Sequence, residues 1–309
     1  KALVEYSYRQ LCFVMDHLYG FPSKSKLAET IRQKGFDKAI TEYDATTAEA
    51  KELLFSDSLV DYCYGMLYLD MYLDDGGHTV MSYGLQMGLD QDEDSAYSTA
   101  LMDSLSDYSN SKLMTIWNYI YDQSLYQESR NNLSDLRDGF FETMTEVKTW
   151  EDAALYQSGT TVIFSFDEFK DAVVEPFKWS LDYVAQNGIK NFIIDLSLNG
   201  GGATAGVVYM TSVICDYCRM DIVNTLTGNQ YFVRETVDKN LDGEFDQKDD
   251  TVKYDLQFAV LTSQFSFSAA NMLACLLKYN GVCVVGENSC GGTCAITIHA
   301  DAAGYAYAI

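Results

Sequence analysis

LQFAVLTSQFSFSAANMLACLLKYNGVCVVGE, residues 256–287, is the stretch that decides the fold. Its first eight residues form a short apolar run that reads as a buried strand. Serines 263, 266 and 268 lead into SAANMLACLLKY, whose apolar residues recur at three- and four-residue spacing, and Gly281 marks the stop of this helix. VCVVGE then reads as another buried strand. Strand, turn, helix and strand in that order build a parallel sheet covered by helices.

The same order stands upstream. TTVIFSF (160–166) is followed by a helical pattern through FKWSLDYVAQNG (177–188), then by IKNFIIDL (189–196), a glycine turn and the helix GVVYMTSVICDY (206–217). An α/β layer is therefore expected from about residue 156 to 309, with both turns at the carboxyl ends of strands, where open α/β sheets place their sites. Residues 1–155 read differently. LVEYSYRQLCFVMDHLYG, SKLAETIRQKG, TTAEAKELLF and SLVDYCYGMLYLDMYLDD carry helical periodicity, with Thr46 or Thr47 as a helix start and Gly20 and Gly35 as stops. The polar stretch 89–156 keeps a helical pattern and is expected to form an insertion or cap. No internal repeat is present.

The chain has 309 residues, 48% of them hydrophobic, enough to bury a sizeable core as one large domain or two ordinary ones. It carries 45 acidic against 21 basic residues, a net charge of -24. That charge repels phosphate backbones and anionic lipid surfaces, so nucleic acid and membrane are not expected partners. No apolar run reaches the length of a membrane span, and the opening KALVEYSYRQL lacks a signal-peptide pattern. Of the 8 cysteines, Cys215 and Cys218 form a C-x-x-C inside a buried helical run with no second pair at zinc-ribbon spacing. Cys290 and Cys294 flank a Gly-Gly turn and either close a small disulfide or remain packed thiols.

Three short segments carry candidate chemistry. Ser268 sits just past a strand at the start of a helix, where free amides and the helix dipole favour developing negative charge. The plain alternative is that Ser266 or Ser268 only caps the helix. DLSLNGGG (195–202) ends another strand, and its glycines allow backbone amides to approach an oxyanion. DDGGHT (74–79) places His78 in a glycine turn. A serine nucleophile needs a base, and of the 3 histidines His17 and His299 fall inside helix and strand patterns.

Taken together these segments resemble the tail-specific, C-terminal processing serine peptidase family and its tricorn-core relatives. The family's D-x-R-x-N-x-G-G turn is matched by Asp195, Asn199, Gly201 and Gly202, and its serine-alanine elbow by Ser268 and Ala269. Its G-E-x-[ST]-x-G turn is matched by Gly286, Glu287, Ser289 and Gly291, and an upstream G-H-T turn by Gly77, His78 and Thr79. The resemblance covers roughly residues 59–84 and 160 to the end. It implies a crotonase-like (ClpP-like) β-β-α core with an N-terminal helical region, oxyanion donors from the amides of Gly201 or Gly202 and of Ala269, and a polypeptide substrate. No lysine follows Lys278, so a Ser-Lys dyad is excluded, and the resemblance is closer to the branch that uses histidine as base, here His78. That branch's orienting acid is expected further downstream than residue 309. Ser197 stands where the family carries arginine, and no PDZ-like segment is evident.

DKNLDGEFDQKD (238–249) places oxygen ligands at Asp238, Asn240, Asp242, Asp246 and Asp249, with Glu244 at position seven and Gly243 at the turn. This is the spacing of a calcium loop, with aspartate at position twelve as in dockerins. A structural Ca2+ is the expected cofactor, with no organic cofactor; a solvated acidic hairpin is the alternative. The sequence thus leads to an exported (secreted or cell-surface) serine endopeptidase, with a catalytically silent peptide-binding relative as first alternative and an acyl-CoA enzyme on the same core as second.

Overall fold

The computed structural model describes residues 2–20, 25–73, 78–83, 110–224, 226–302 and 304–309, with side chains of the helix that starts at Asn110 described from Leu125. Residues 74–77 of the histidine turn, residues 84–88 and residues 89–109 of the expected cap lie outside the described residues. The chain divides into two units, one of Lys1–Leu125, Asn224–Gly228 and Cys294–Ile309, the other of Tyr126–Val223 and Asn229–Thr293. The boundary expected at 155/156 is therefore not where the contacts divide. Long-range pairing returns the last residues to the helical unit, a relation that local periodicity does not encode.

In the first unit α1 (Ala2–His17), α2 (Lys26–Lys34), α3 (Phe36–Glu42), α4 (Ala45–Leu54) and α5 (Leu59–Tyr72) follow one another closely. Their starts are set by capping side chains: Ser25 accepts from the Ala28 amide and Ser58 from the Asp61 amide. Asp44, not Thr46 or Thr47, caps α4, with Thr47 completing the reciprocal box. Gly35, at φ +82°, ends α2 as expected. Leu11, Met15, Leu27, Phe36, Ile40, Tyr64 and Tyr68 form the core with Tyr307 from the far end of the chain. There β9 (Ile298–Ala300) pairs antiparallel with β10 (Ala306–Ala308). Val80 exchanges two backbone hydrogen bonds with Ala308, at 2.9 and 3.0 Å, which pins the segment carrying His78 to β10.

The second unit is a mixed α/β layer. Its six-stranded sheet runs β1 (Thr145–Thr149), β2 (Ala154–Ser158), β3 (Thr161–Ser165), β4 (Asn191–Asp195), β7 (Gln257–Thr262), β8 (Cys283–Gly286). The pairs from β3 to β8 are parallel and the two at the β1 end antiparallel. α6 (Asn110–Phe141) enters this unit at Tyr126. α7 (Val174–Gln186), α8 (Thr204–Cys215) and α9 (Ala269–Tyr279) are the crossovers the sequence announces. Phe164, Phe177, Phe192, Val207, Met210, Val260 and Leu273 fill the space between sheet and helices. Two elements depart from expectation. The β1–β2 hairpin lies in a stretch expected to be helical, because five residues such as TEVKT show no decisive period until β2, itself laid on the edge of β3, pairs with them. β5 (Arg219–Val223) and β6 (Gln230–Arg234) form a separate antiparallel hairpin.

Candidate active site

β4 ends at Asp195 and β7 at Thr262, so the glycine turn and the serine turn leave adjacent parallel strands at the same edge of the sheet. Ser268 is the residue immediately before α9. It is held at φ +53°, ψ -118°, a conformation that costs a non-glycine residue of order 1–3 kcal/mol and persists only where the surroundings impose it. Its amide donates to the Gly291 carbonyl at 2.8 Å, and its side chain makes no capping bond to the helix. Ser266, by contrast, is fully buried; its hydroxyl donates to the Leu196 carbonyl at 2.6 Å and accepts from the Ser263 amide at 2.9 Å. The structural task falls to Ser266, and the Ser268 hydroxyl makes no bond to the helix amides.

The two turns are laced together. The Phe267 amide donates to the Asn199 carbonyl at 3.0 Å, and the Ser263 hydroxyl donates to the Ser197 carbonyl. Asn199 is buried and donates from Nδ2 to the Phe166 carbonyl at 2.9 Å. On the other side of the serine, the Cys290 amide donates to the Ser266 carbonyl at 2.8 Å. Ser289 donates to Asn271 Oδ1 at 2.7 Å, so the G-E-x-S turn is tied to the first turn of α9. Glu287 accepts from the Gln264 amide at 3.2 Å.

Of the three expected oxyanion donors the geometry separates one from the others. The Gly201 amide donates to Asn199 Oδ1 at 2.9 Å and is occupied in this arrangement. The amides of Gly202 and Ala269 make no hydrogen bond among the described residues. A Cβ on Gly202, at φ +127°, would stand 2.4 Å from the Phe169 carbonyl oxygen, so the turn takes this path only with glycine there.

His78 belongs to the first unit and Ser268 to the second. His78 is buried, and its Nδ1 lies 3.2 Å from the Cys294 thiol. Asp70 accepts from the Ser82 amide at 2.9 Å and from the Met81 amide, holding the segment that follows His78 to α5. His17 and His299 sit where their patterns put them: His17 packs on Phe13, and His299 in β9 stacks on Tyr307.

In the 238–249 loop the carboxylates are engaged with the loop's own backbone. Asp238 accepts from the Asp242 and Gly243 amides at 3.2 and 2.7 Å, and Asp249, buried, accepts from the amides of Lys239, Asn240 and Asp246. Asn240 Oδ1 accepts from the Asp242 amide and Asp242 Oδ1 from the Glu244 amide. The Lys248 ammonium stands 3.0 Å from Asp242 and 3.2 Å from Asp246, and it holds the Asp242 carboxyl below its ordinary pKa. Among the described residues no three His, Cys, Asp or Glu side chains converge as a ready metal site.

Sequence reasoning missed the arginines of α6. Arg137 Nη2 donates to Asp167 at 3.1 Å, Nη1 also pairs with Asp167, and Nη1 lies 3.9 Å from Asp195, which is buried and accepts from the Ser165 hydroxyl at 2.9 Å. Arg130 Nη2 donates to the Leu198 carbonyl at 2.8 Å. The available signal was two arginines seven apart in a polar helical stretch of a strongly acidic chain.

Residues 160–305 match the family model described as Peptidase family S41. No curated protein sequence matches the chain. Among solved structures, a protein of Parabacteroides merdae ATCC 43184 described as a candidate peptidase aligns over 100% of this chain and 83% of its own, at 13% identity and a TM-score of 0.56. The photosystem II D1 C-terminal processing protease aligns over 48% of this chain at 18% identity and a TM-score of 0.39, and this chain spans 36% of that protein's length. A lipoprotein of Streptococcus agalactiae aligns over 99% of this chain and 83% of its own, at 15% identity and a TM-score of 0.48. At such identities the Parabacteroides likeness speaks for the fold alone, whereas the family match falls on the serine turn, the glycine turn and the G-E-x-S turn together. Through that segment the chain matches Peptidase family S41, which accords with the resemblance to tail-specific serine peptidases read from its sequence.

Proposed function

We propose that the chain is an exported serine endopeptidase in which Ser268 attacks a peptide carbonyl. The observation that carries this reading is the pairing of a strained Ser268 backbone with a hydroxyl that the helix does not use. A serine that merely capped α9 would spend its oxygen on the helix amides, as Ser25 and Ser58 do. The amides of Gly202 and Ala269 are the proposed oxyanion donors, and Gly201 contributes by letting the turns meet. His78 is the proposed base, as in the histidine-using branch of the family; the Cys294 thiol beside Nδ1 holds the orientation of the ring. A crotonase-like core and a polypeptide substrate accord with the parallel sheet and the family. No described helix is long and apolar enough to cross a membrane.

A fluorophosphonate probe tests the reading. The parent is expected to be labelled at Ser268 and to cleave an unfolded polypeptide, with both lost in Ser268→Ala. A parent that is neither labelled nor active would instead support a peptide-binding role for the same fold.

We also propose that the 238–249 loop takes Ca2+, with Lys248 displaced from Asp242 and Asp246. The reading is supported by the alternating oxygen side chains and by Leu241 and Gly243 at positive φ, which fold the loop tightly around its centre.

A further inference from the structure

From Tyr126 to Phe141, α6 presents one face to the turns at the carboxyl edge of the sheet. Tyr126 packs edge-on against Phe265 of the serine turn, with ring centroids 5.1 Å apart. Arg130 reaches the Leu198 carbonyl of the glycine turn. Arg137 grips the Asp167 carboxylate with two nitrogens and approaches Asp195. Phe141 stacks on Tyr156 of β2 at 4.2 Å. Arg130 and Arg137 are two helical turns apart, roughly 10 Å along one face.

Their contacts converge on Asn199. Leu198, held by Arg130, is its chain neighbour, and Asp167, held by Arg137, accepts the Gly200 amide at its carbonyl at 3.1 Å. Asn199 itself receives the Phe267 amide and binds the Gly201 amide. Any shift of the Leu198–Asn199 peptide therefore moves the glycine turn and the residue before Ser268 at once. A guanidinium suits this task because its planar donors fix direction as well as distance.

We propose that the 126–141 arm is a two-point clamp on the oxyanion turn, with Arg130 and Arg137 as positioning residues for the chemistry of Ser268. The proposal rests on the hydrolytic reading above. It predicts an effect on rate separate from any effect on folding, since a misplacement of about 1 Å can cost on the order of a hundredfold.

The test compares the parent with Arg130→Met, Arg130→Lys and, as a control on an exposed site of the same helix, Asn131→Ala. Fluorophosphonate labelling rate, kcat and KM on an unfolded polypeptide, and Tm are measured for each. Arg130→Met is expected to lower kcat and the labelling rate about ten- to a hundredfold, with KM within about twofold and only a small change in Tm; Arg130→Lys should recover part of the rate. Should Arg130→Met fail to fold, Arg130→Lys carries the same expectation at about threefold to tenfold, because it keeps the charge and loses the fork. A labelled parent whose folded Arg130 variants keep the parent's rate overturns the clamp alone. A parent that is not labelled overturns the Ser268 reading, and the clamp falls with it.

Discussion

A Cβ built on Gly201 would stand 2.5 Å from the Cβ of Ser268, so the glycine turn and the serine turn meet only because one of the two residues has no side chain. Gly201 is also at φ +104°, which other residues rarely adopt. Gly201→Ala is therefore expected to separate the turns, lowering the rate of Ser268 labelling about a hundredfold. It should also lower stability by about 1–3 kcal/mol through backbone strain. Labelling kinetics and thermal melts check the two parts independently.

Ser266 and Ser268 are expected to dissociate stability from activity. Removing the Ser266 hydroxyl strands the buried Ser263 amide and leaves the Leu196 carbonyl with the Asn199 amide, and should cost about 1–3 kcal/mol. Ser268→Ala removes a hydroxyl that supports no helix amide, so its Tm should match the parent's while cleavage disappears. A large fall in Tm for Ser268→Ala would return this serine to a capping role.

His299 gives the first unit a pH dependence of definite sign. Burial holds its imidazole pKa below the ordinary 6.5, and its Nε2 is enclosed without a hydrogen-bond partner among the described residues. The folded protein thus keeps His299 neutral where the unfolded chain already binds a proton. This contribution is fully present above pH 6.5 and is lost as pH falls from there through the lowered folded value. His299→Phe, which can keep the stacking on Tyr307, should flatten the fall of Tm between about pH 7.5 and 5 relative to the parent.

The 238–249 loop makes a prediction independent of catalysis. At about a hundredfold excess of Ca2+ over its Kd, binding would add about 2.7 kcal/mol, a Tm rise on the order of 5 °C over the chelated protein. Lys248→Ala, which removes the competing ammonium, should strengthen the response. Equal melts with chelator and with Ca2+ would leave the loop as a hydrogen-bonded acidic turn closed by Lys248.

The parallel strands and their crossover helices were legible because each buries a continuous apolar stretch, as in FAVL and FIID, between turns rich in glycine or serine. The two chemical turns were legible for the same reason: a strand followed by glycines, or by serines and a helix, has few ways to run. TEVKT was not legible as a strand, since it is largely exposed with no alternation, and its backbone is satisfied only by the partner it finds. The place of residues 294–309 was hidden as well, because β9 and β10 are three residues each and β10 is bridged to Val80, more than 200 positions away in the chain.

Local sequence by itself determined the order of the parallel strands and their crossover helices and marked the glycine and serine turns, because those choices rest on period, turn chemistry and neighbours in the chain; the resemblance to a family then singled out Ser268, Ala269, Gly201 and Gly202. Only the tertiary structure decided that Ser266 ties the two turns together while Ser268 makes no capping bond, that the Gly201 amide is taken by Asn199, and that arginines from α6 hold the turn. Such assignments depend on which donors and acceptors come within about 3 Å of one another, and residues as far apart as Arg130 and Leu198 acquire that proximity only when the chain has folded.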